Sequence, residues 1–443
     1  MHYILKGVLA MNFYEVNLHN IVEYIKKGEK SKDNLTIGLE FEHIIVDKES
    51  FKSISFEDGI IFIMEKLLLH GWKKSDNEPW LLNLVKNEDN ISLEPGAQFE
   101  LSMKNCTTIK EIKERYFSFV NDILPILDES NYYLLSIGYR PIEKIKDISI
   151  IPKLRYKHMS EYLSQKGKYA LNMMKGSASL QLSVDYTDEE DYIKKNKVAN
   201  YLSPAISLLF DNTPIFEGEV FDGNTPRVEI WNNMDNDRSR IAPGVFEKEF
   251  GYKDYAEYVL NRPSIISLLG GNYVYTGEKL IKDVYKDIEL DERQIEHLLS
   301  MFFPDVRTKR YIEIRMTDSV PYPYNIAAAA LWKGILYDDT NLNYFYNQAK
   351  DYSDHQVECL KDCMIKNDDI ALVTLDDMIN DILSKSMNAL DDEDKAYLKP
   401  LLKLNKNHYN LATYIKSELK NGIPTALEIN ALSIKNINGR GII

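Results

Sequence analysis

Cysteine and histidine are scarce in this chain, with three and eight copies among 443 residues. Three thiols cannot build the disulfide framework of a small secreted scaffold. Cys359 and Cys363 stand four apart in a segment of helical period and read as two thiols on one helix face, because no further Cys or His follows at ligand spacing. The His/Cys clusters of a zinc centre are missing. Long hydrophobic runs are missing as well: no stretch of about 18 uncharged apolar residues occurs. The apolar run between Met1 and Met11 is too short to span a bilayer and lacks a small-residue cleavage site, and Met11 is a second candidate start. These absences lead to the expectation of a cytoplasmic protein. Basic charge is also in deficit, 54 Lys and Arg against 68 Asp and Glu, a net −14. That balance argues against a general binder of nucleic-acid backbones, which must neutralise phosphates.

The nucleotide loops that sequence can reveal are absent too. There is no GxxxxGK[ST] string and no kinase Gly-rich, HRD or DFG signal, so a nucleotide here would be held by metals and a sheet face. No Ser-His-Asp order and no GxSxG elbow suggests nucleophilic hydrolysis. Repeats, low-complexity tracts and Pro/Gly/Ser linkers do not occur. A single domain over residues 1–443 is therefore expected, although length alone would allow about three.

What the chain does have is apolar periodicity of two kinds. A period near 3.6 predicts helices over residues 110–127, 188–210 and 291–303, then 327–346, 354–365, 375–390, 392–402 and 411–419. Thr107 and Thr108 precede the first, with Glu111 three residues beyond Thr108, as in an N-cap. The expected order is a helical lead-in over residues 1–36, a strand-rich core over 37–325 and a helical part over 326–443.

A period of two marks five short segments. Ile37, Leu39 and Phe41 alternate with Glu40 and Glu42. Gln98, Glu100 and Ser102 share one face of the second segment, and Ser179, Gln181, Ser183 and Asp185 one face of the third. Arg227, Glu229 and Trp231 alternate with Val228 and Ile230, and Glu313 and Arg315 with Ile312, Ile314 and Met316. Solvent faces usually collect Lys and Thr, yet these five polar faces hold no Lys. Apart from Trp231 they carry Glu, Gln, Ser, Asp and Arg. An α+β fold is expected, in which a curved antiparallel sheet lines a funnel-like cavity with its polar face and packs helices on its apolar face.

Hard cations such as Mg²⁺ seek carboxylate oxygens and share them with substrate phosphates. Glu40 and Glu42 lie two apart on one strand face, Glu94 and Glu100 flank a Pro95-Gly96 turn, and Glu313 adds a carboxylate from far along the chain. Facing one cavity, such a set would repel unless cations sat among it. Arg227 and Arg315 offer planar forks for a carboxylate or phosphoryl group. Lys309 and Arg310 either reach nucleotide phosphates or form a solvated pair before a strand. His43 and His158 are the only histidines near these segments, and His43 falls on an apolar face, where it reads as a packed core side chain. Phosphoryl transfer is what elimination leaves.

Seven segments occur in an order that resembles one family. They are Gly38-Leu39-Glu40-Phe41-Glu42; Leu93-Glu94-Pro95-Gly96-Ala97-Gln98-Phe99-Glu100-Leu101-Ser102; Arg155-Tyr156-Lys157-His158-Met159; Asn172-Met173-Met174; residues 181–185; residues 227–231 with Asp235-Asn236-Asp237-Arg238; and residues 303–315. Over roughly residues 38–337 the chain is similar to the glutamate–cysteine ligases of the plant and proteobacterial type. The resemblance implies a fold like the catalytic domain of glutamine synthetase, with ATP as co-substrate and Mg²⁺, or Mn²⁺ in its place, on Glu40, Glu42, Glu94, Glu100 and Glu313. It implies phosphorylation of the γ-carboxylate of L-glutamate, then displacement of phosphate by the amine of L-cysteine, a step toward glutathione. Arg315 would act on the transferring phosphoryl group, Lys309 and Arg310 would join it in binding ATP, and Arg227 would hold the glutamate α-carboxylate. Gln181, Trp231, Arg155 and Tyr156 would line the amino-acid pockets. A monomer or homodimer that binds neither nucleic acid nor membrane is expected. The family has a glycine where Ala97 stands, and a basic or hydroxylated residue where Glu229 stands. An inward Glu229 would disfavour an acidic substrate, so a ligase for another amine, or a silent nucleotide-binding homologue, stays open beside the leading reading.

Overall fold

In the computed structural model, residues 13–434 and 436 are described. The apolar run of residues 1–11 and the choice between Met1 and Met11 lie outside them. Thirteen strands occur among the described residues. The first seven are β1 (Ile37–Asp47), β2 (Lys73–Lys74), β3 (Asn83–Lys86), β4 (Asp89–Leu93), β5 (Phe99–Ser102), β6 (Tyr132–Leu135) and β7 (Leu180–Val184). A ribbon of β8 (Ile215–Phe216) and β9 (Glu219–Val220), a hairpin of β10 (Pro263–Leu269) and β11 (Asn272–Leu280), and the pair β12 (Val306–Thr308) and β13 (Ile312–Ile314) follow.

Nine strands form one antiparallel sheet in the order β12-β13-β7-β1-β5-β4-β3-β2, with β6 added to β1. Its two ends stay unpaired, so the sheet curves without closing into a barrel. β1 is the axis. Its first half pairs with β5 on one side and β7 on the other, and its second half, Ile44 to Asp47, pairs with β6. Four of the five segments of period two lie in β1, β5, β7 and β13.

The apolar side of the sheet is covered by the helix Ile109–Glu129, capped by the Thr108 hydroxyl, which accepts the Glu111 N–H at 3.1 Å. Its inward stripe of Ile112, Tyr116, Phe119, Val120 and Ile123 recurs every three or four residues, as a helix on a sheet requires. Tyr116 stacks at 4.9 Å on Phe41 of β1, and Phe119 at 6.1 Å on Phe99 of β5. His43, 1% exposed, packs between Phe41 and Phe119. Burial without a charged partner lowers its pKa to about 4, as suits a core side chain.

From Tyr324 onward every named element is helical. The expected helix over residues 327–346 is two, Tyr324–Leu336 and Asp339–Ala349, because Asp338 takes an extended conformation and caps the second through the Asn341 N–H. The helix Tyr324–Leu336 is apolar all round and almost wholly buried, packed against Asp369–Ala389 and Asp392–His408. Cys359 and Cys363 lie on the helix Asp354–Ile365 as free thiols.

Candidate functional site

Register places the polar faces side by side. Glu40 of β1 stands opposite Gln181 of β7 and Ser102 of β5, while Glu42 stands opposite Glu100 of β5, itself level with Ser92 of β4. Glu313 of β13 lies between Ser183 of β7 and Arg307 of β12. Glu94 sits on the turn between β4 and β5, where Ala97 donates its N–H to the Glu94 carbonyl and takes the left-handed φ of 62°. The Gln98 side chain locks that turn: its oxygen accepts the Gly96 N–H and its amide donates to the Met174 and Ser177 carbonyls. Arg140, fully buried, adds its guanidinium to the Gly96 and Lys175 carbonyls and the Ser53 hydroxyl.

Part of this polar face opens onto a cavity of about 370 Å³. Glu40, Glu42, Glu94 and Glu100 line it together with Arg155, Arg307, Arg315, Lys153, Gln181, Tyr156 and Trp231, and the charges interleave: Lys153 and Arg155 act on Glu94, Arg307 on Glu40 and Arg315 on Glu42. Met159, Met173, Met174 and Phe303 supply its apolar wall. Arg227 lies immediately behind Trp231: the two guanidiniums of Arg227 and Arg315 sit 5.6 and 5.4 Å from the indole ring. Both keep a buried Nε–H with no acceptor, as do Arg155 and Arg307, and so does the indole N–H of Trp231. Buried donors without acceptors are costly in a folded protein, and four guanidiniums in and beside this cavity each leave one.

The carboxylates differ from one another. Burial, and then Glu100 and Glu313, raise Glu40 to about 7; burial and Glu42 raise Glu94 to about 7; burial, Glu94 and Glu42 raise Glu100 to about 8. Among the described residues Glu40 accepts no hydrogen bond, Glu94 has only a long 3.5 Å approach from the Tyr156 hydroxyl, and Glu100 takes Ser92 and Ser102 on one oxygen alone. Glu42 has both oxygens engaged, one by the Gln181 amide at 2.8 Å and the other by the Ser179 N–H and hydroxyl. Glu313 is completely buried and does not line the cavity. Burial pushes its pKa up, but Arg307 at 2.5 Å, Lys309 at 3.1 Å and Arg315 at 2.8 Å outweigh that and hold it well below the usual range.

Three expectations need correction. Arg227, Glu229 and Trp231 lie on the helix Pro226–Asn232, not on a strand. Pro226 suits a first helical turn, and Thr225 before it, at φ 49°, breaks any extended run. Positions 227 and 231 coincide on a helix face as they do on a strand face, so alternation alone could not separate the two. On the helix Glu229 is turned about 200° from Arg227; it is half-exposed and absent from the cavity wall. Arg310 is not near the cavity: at the tip of the β12–β13 turn it stacks 4.4 Å from the Tyr24 ring and pairs with Glu292 on the surface. Arg307 is the residue the sequence reading missed. It alternates with Lys309 just as Glu313 does with Arg315, and Asn90 and Ser92 of β4 alternate into the same cavity.

Among the described residues no three acidic, His or Cys side chains converge as a ready cage for an ion. Mg²⁺ does not require one, since it takes one or two protein carboxylates and completes its shell with phosphate and water oxygens. Glu40, Glu94 and Glu100, with oxygens unfilled and pKa values raised by burial and then by one another, fit that role. Glu42 has both oxygens taken by protein donors, while Glu313 has Oε2 shared by Arg307 and Arg315 and an Oε1 that meets only the Lys309 ammonium.

Residues 36–366 match the family model described as Glutamate-cysteine ligase family 2. The chain is 30% identical over 357 residues to glutamate–cysteine ligase A, chloroplastic, of Oryza sativa subsp. indica, covering 77% of this chain and 71% of that one. It is 30% identical over 349 residues to the chloroplastic glutamate–cysteine ligase of Arabidopsis thaliana, covering 77% and 67%. In three dimensions it resembles the crystal structure of a glutamate–cysteine ligase from Francisella tularensis in complex with AMP, with TM-score 0.53, 13% identity, and 91% and 88% of the two chains covered.

Proposed function

The chain belongs to glutamate–cysteine ligase family 2, and on that premise we propose that it joins the γ-carboxylate of L-glutamate to the amine of L-cysteine, using ATP, to give γ-glutamylcysteine. The observation that carries this reading is the gathering, around one cavity, of carboxylates with unfilled oxygens and of guanidiniums. A protein that had lost the chemistry would have no reason to keep such costly buried groups.

A carboxylate is a poor acyl donor because oxide would have to leave. In the proposed sequence a γ-carboxylate oxygen attacks the terminal phosphorus of ATP and ADP departs. The uncharged amine then attacks the acyl carbon of the γ-glutamyl phosphate, and phosphate leaves with the oxygen. Mg²⁺, held through Glu40, Glu94 and Glu100, would supply charge neutralisation along the phosphates. Arg315, which lines the cavity, stabilises the phosphoryl group in transfer. Arg307 stands beside it through their shared partner Glu313 and adds positive potential. Arg227 receives the α-carboxylate of glutamate, and the Trp231 ring packs against the guanidiniums of both Arg227 and Arg315. Gln181, Arg155 and Tyr156 form the amino-acid walls, and the methionine side chains beside them suit a thiol-bearing acceptor. Glu229, facing away, does not bar an acidic substrate.

The test is phosphate release from ATP with Mg²⁺ and L-glutamate, with and without L-cysteine, and a product mass. Cysteine-dependent release with the mass of γ-glutamylcysteine is expected. Release that ignores cysteine in favour of another amine would overturn the acceptor, and no release with any amine would overturn the activity.

A further inference from the structure

Two aspartates that the reaction scheme leaves unused sit buried behind Arg227. Asp318, 4% exposed, places Oδ1 3.8 Å from the Arg227 Nη1, while its Oδ2 accepts the Asn212 N–H at 2.9 Å and the Thr213 hydroxyl at 2.6 Å. Asp211, 1% exposed, accepts the Thr213 N–H at 3.1 Å and the Thr225 N–H at 2.8 Å. Thr225 is the left-handed residue that starts the helix Pro226–Asn232, so Asp211 pins the first turn from which Arg227 projects. Gly138 closes the back of this arrangement: a Cβ there would collide with Asp318 Oδ2 and the Thr213 hydroxyl.

We propose that Asp318 is a positioning residue, which aims the Arg227 fork at the carboxylate of the donor substrate, with Asp211 fixing the helix start that carries it. The geometry makes the division of labour clear. Arg227 Nη2 is spent on the Arg315 carbonyl at 2.9 Å, and its Nε has no acceptor. Asp318 supplies the only carboxylate within ion-pair distance of the fork among the described residues. At 3.8 Å it orients the guanidinium without saturating it, which leaves donors for a ligand. The pair of buried carboxylates is offset by few cations: Arg227 faces Asp318, and Lys416, bonded to the Gly223 carbonyl at 2.7 Å, lies on the Asp211 side. Loss of the Asp318 charge therefore leaves the Arg227 charge without its fixed counterpart.

This inference rests on the proposed role of Arg227 toward L-glutamate, and the experiment separates the two. Asp318→Asn retains an oxygen for the Asn212 N–H and Thr213 hydroxyl, and puts an uncharged amide NH2 where Oδ1 faces Arg227. In steady-state assays the KM for L-glutamate is expected to rise about tenfold, while kcat and the KM for ATP stay within about twofold. A uniform fall in kcat with unchanged KM for glutamate would point to a merely structural role and overturn the proposal. A crystal structure of the same variant reads the position directly, whatever the substrate is. Arg227 is expected to leave the Arg315 carbonyl and the Trp231 face, and an unmoved guanidinium would sink the idea. If Asp318→Asn does not fold, Thr213→Val, which removes one hydroxyl from Asp318 Oδ2, should raise the KM for glutamate two- to threefold; no change would be equally fatal. If the wild type itself shows no glutamate-dependent turnover, the proposed function fails while the crystallographic result still decides the positioning.

Discussion

Replacing Glu313 by Gln should cost much of the fold's stability before any substrate or metal is added. Glu313 has no exposed surface, and its carboxylate is the common counter-ion of Arg307, Lys309 and Arg315, whose side chains are 8%, 17% and 9% exposed. With charge centres about 4 Å apart and an effective dielectric near 20, each pair is worth about 4 kcal/mol, or about 12 kcal/mol gross for three. Burying the carboxylate costs several kcal/mol, which offsets part of this. The amide keeps the shape and some hydrogen bonding but leaves three cations crowded without compensation. Breaking a buried network in this way costs about 3–5 kcal/mol, against a total stability of about 5–15 kcal/mol. The measurement is urea unfolding of wild type and Glu313→Gln in EDTA, with the m-value checked for constancy. Adding Arg307→Met to Glu313→Gln should recover part of the loss, because one uncompensated cation goes with it. A single variant within about 1 kcal/mol of wild type in EDTA would refute the reasoning. If the loss appeared only when Mg²⁺ was present, Glu313 would be a metal ligand first and a counter-ion second.

Three further outcomes follow from particular contacts. Gly96→Ala should destabilise by about 1–3 kcal/mol, read as a lower thermal midpoint, because its Cβ would press on the Lys175 carbonyl and lie 2.8 Å from the Lys175 Cα; an unchanged midpoint would mean that the Glu94 turn is looser than described. Ala97→Gly should be neutral or stabilising by up to about 1 kcal/mol in the same assay, since relief of the left-handed φ of 62° exceeds the entropy that glycine loses; clear destabilisation would contradict that backbone. His297, whose ring nitrogen meets the Ile266 carbonyl at 3.0 Å, has its pKa lowered to about 4 by burial and by Arg155. The unfolded chain takes up that proton near 6.5 and the folded one does not, so stability should fall as pH drops from about 6.5 to 4, by up to about 3 kcal/mol from this residue. His297→Gln should flatten that part of the pH–stability curve, and a curve of unchanged slope would rule the histidine out as its cause.

Much of the chemistry could be read from alternation alone. In an antiparallel sheet side chains repeat every second residue, so Glu40 with Glu42, Gln98 with Glu100, Gln181 with Ser183 and Glu313 with Arg315 had to share faces wherever those strands were placed. The Thr108 cap, the core position of His43 and the helical run after residue 324 depend likewise on neighbours within about four residues. Local pattern failed at residues 227–231, where Arg227 and Trp231 coincide on a helix face as on a strand face, and the left-handed Thr225 that decides between them leaves no periodic trace. It failed again at Arg310, because a residue at the tip of a turn has no face to be assigned to.

The sequence by itself determined which residues point the same way along each strand, and the motif order that identifies the family. Only the tertiary structure decided which strands stand side by side and how each charge is answered. Register put Glu42 beside Glu100 and Arg307 beside Glu313, and packing placed Asp318 from the end of that sheet against an arginine on a helix some ninety positions earlier. Charge compensation inside a low-dielectric core is a matter of distances of a few ångströms between residues far apart in the chain. That is why sequence shows Glu313 only as one more carboxylate, while the fold shows the three cations that surround it.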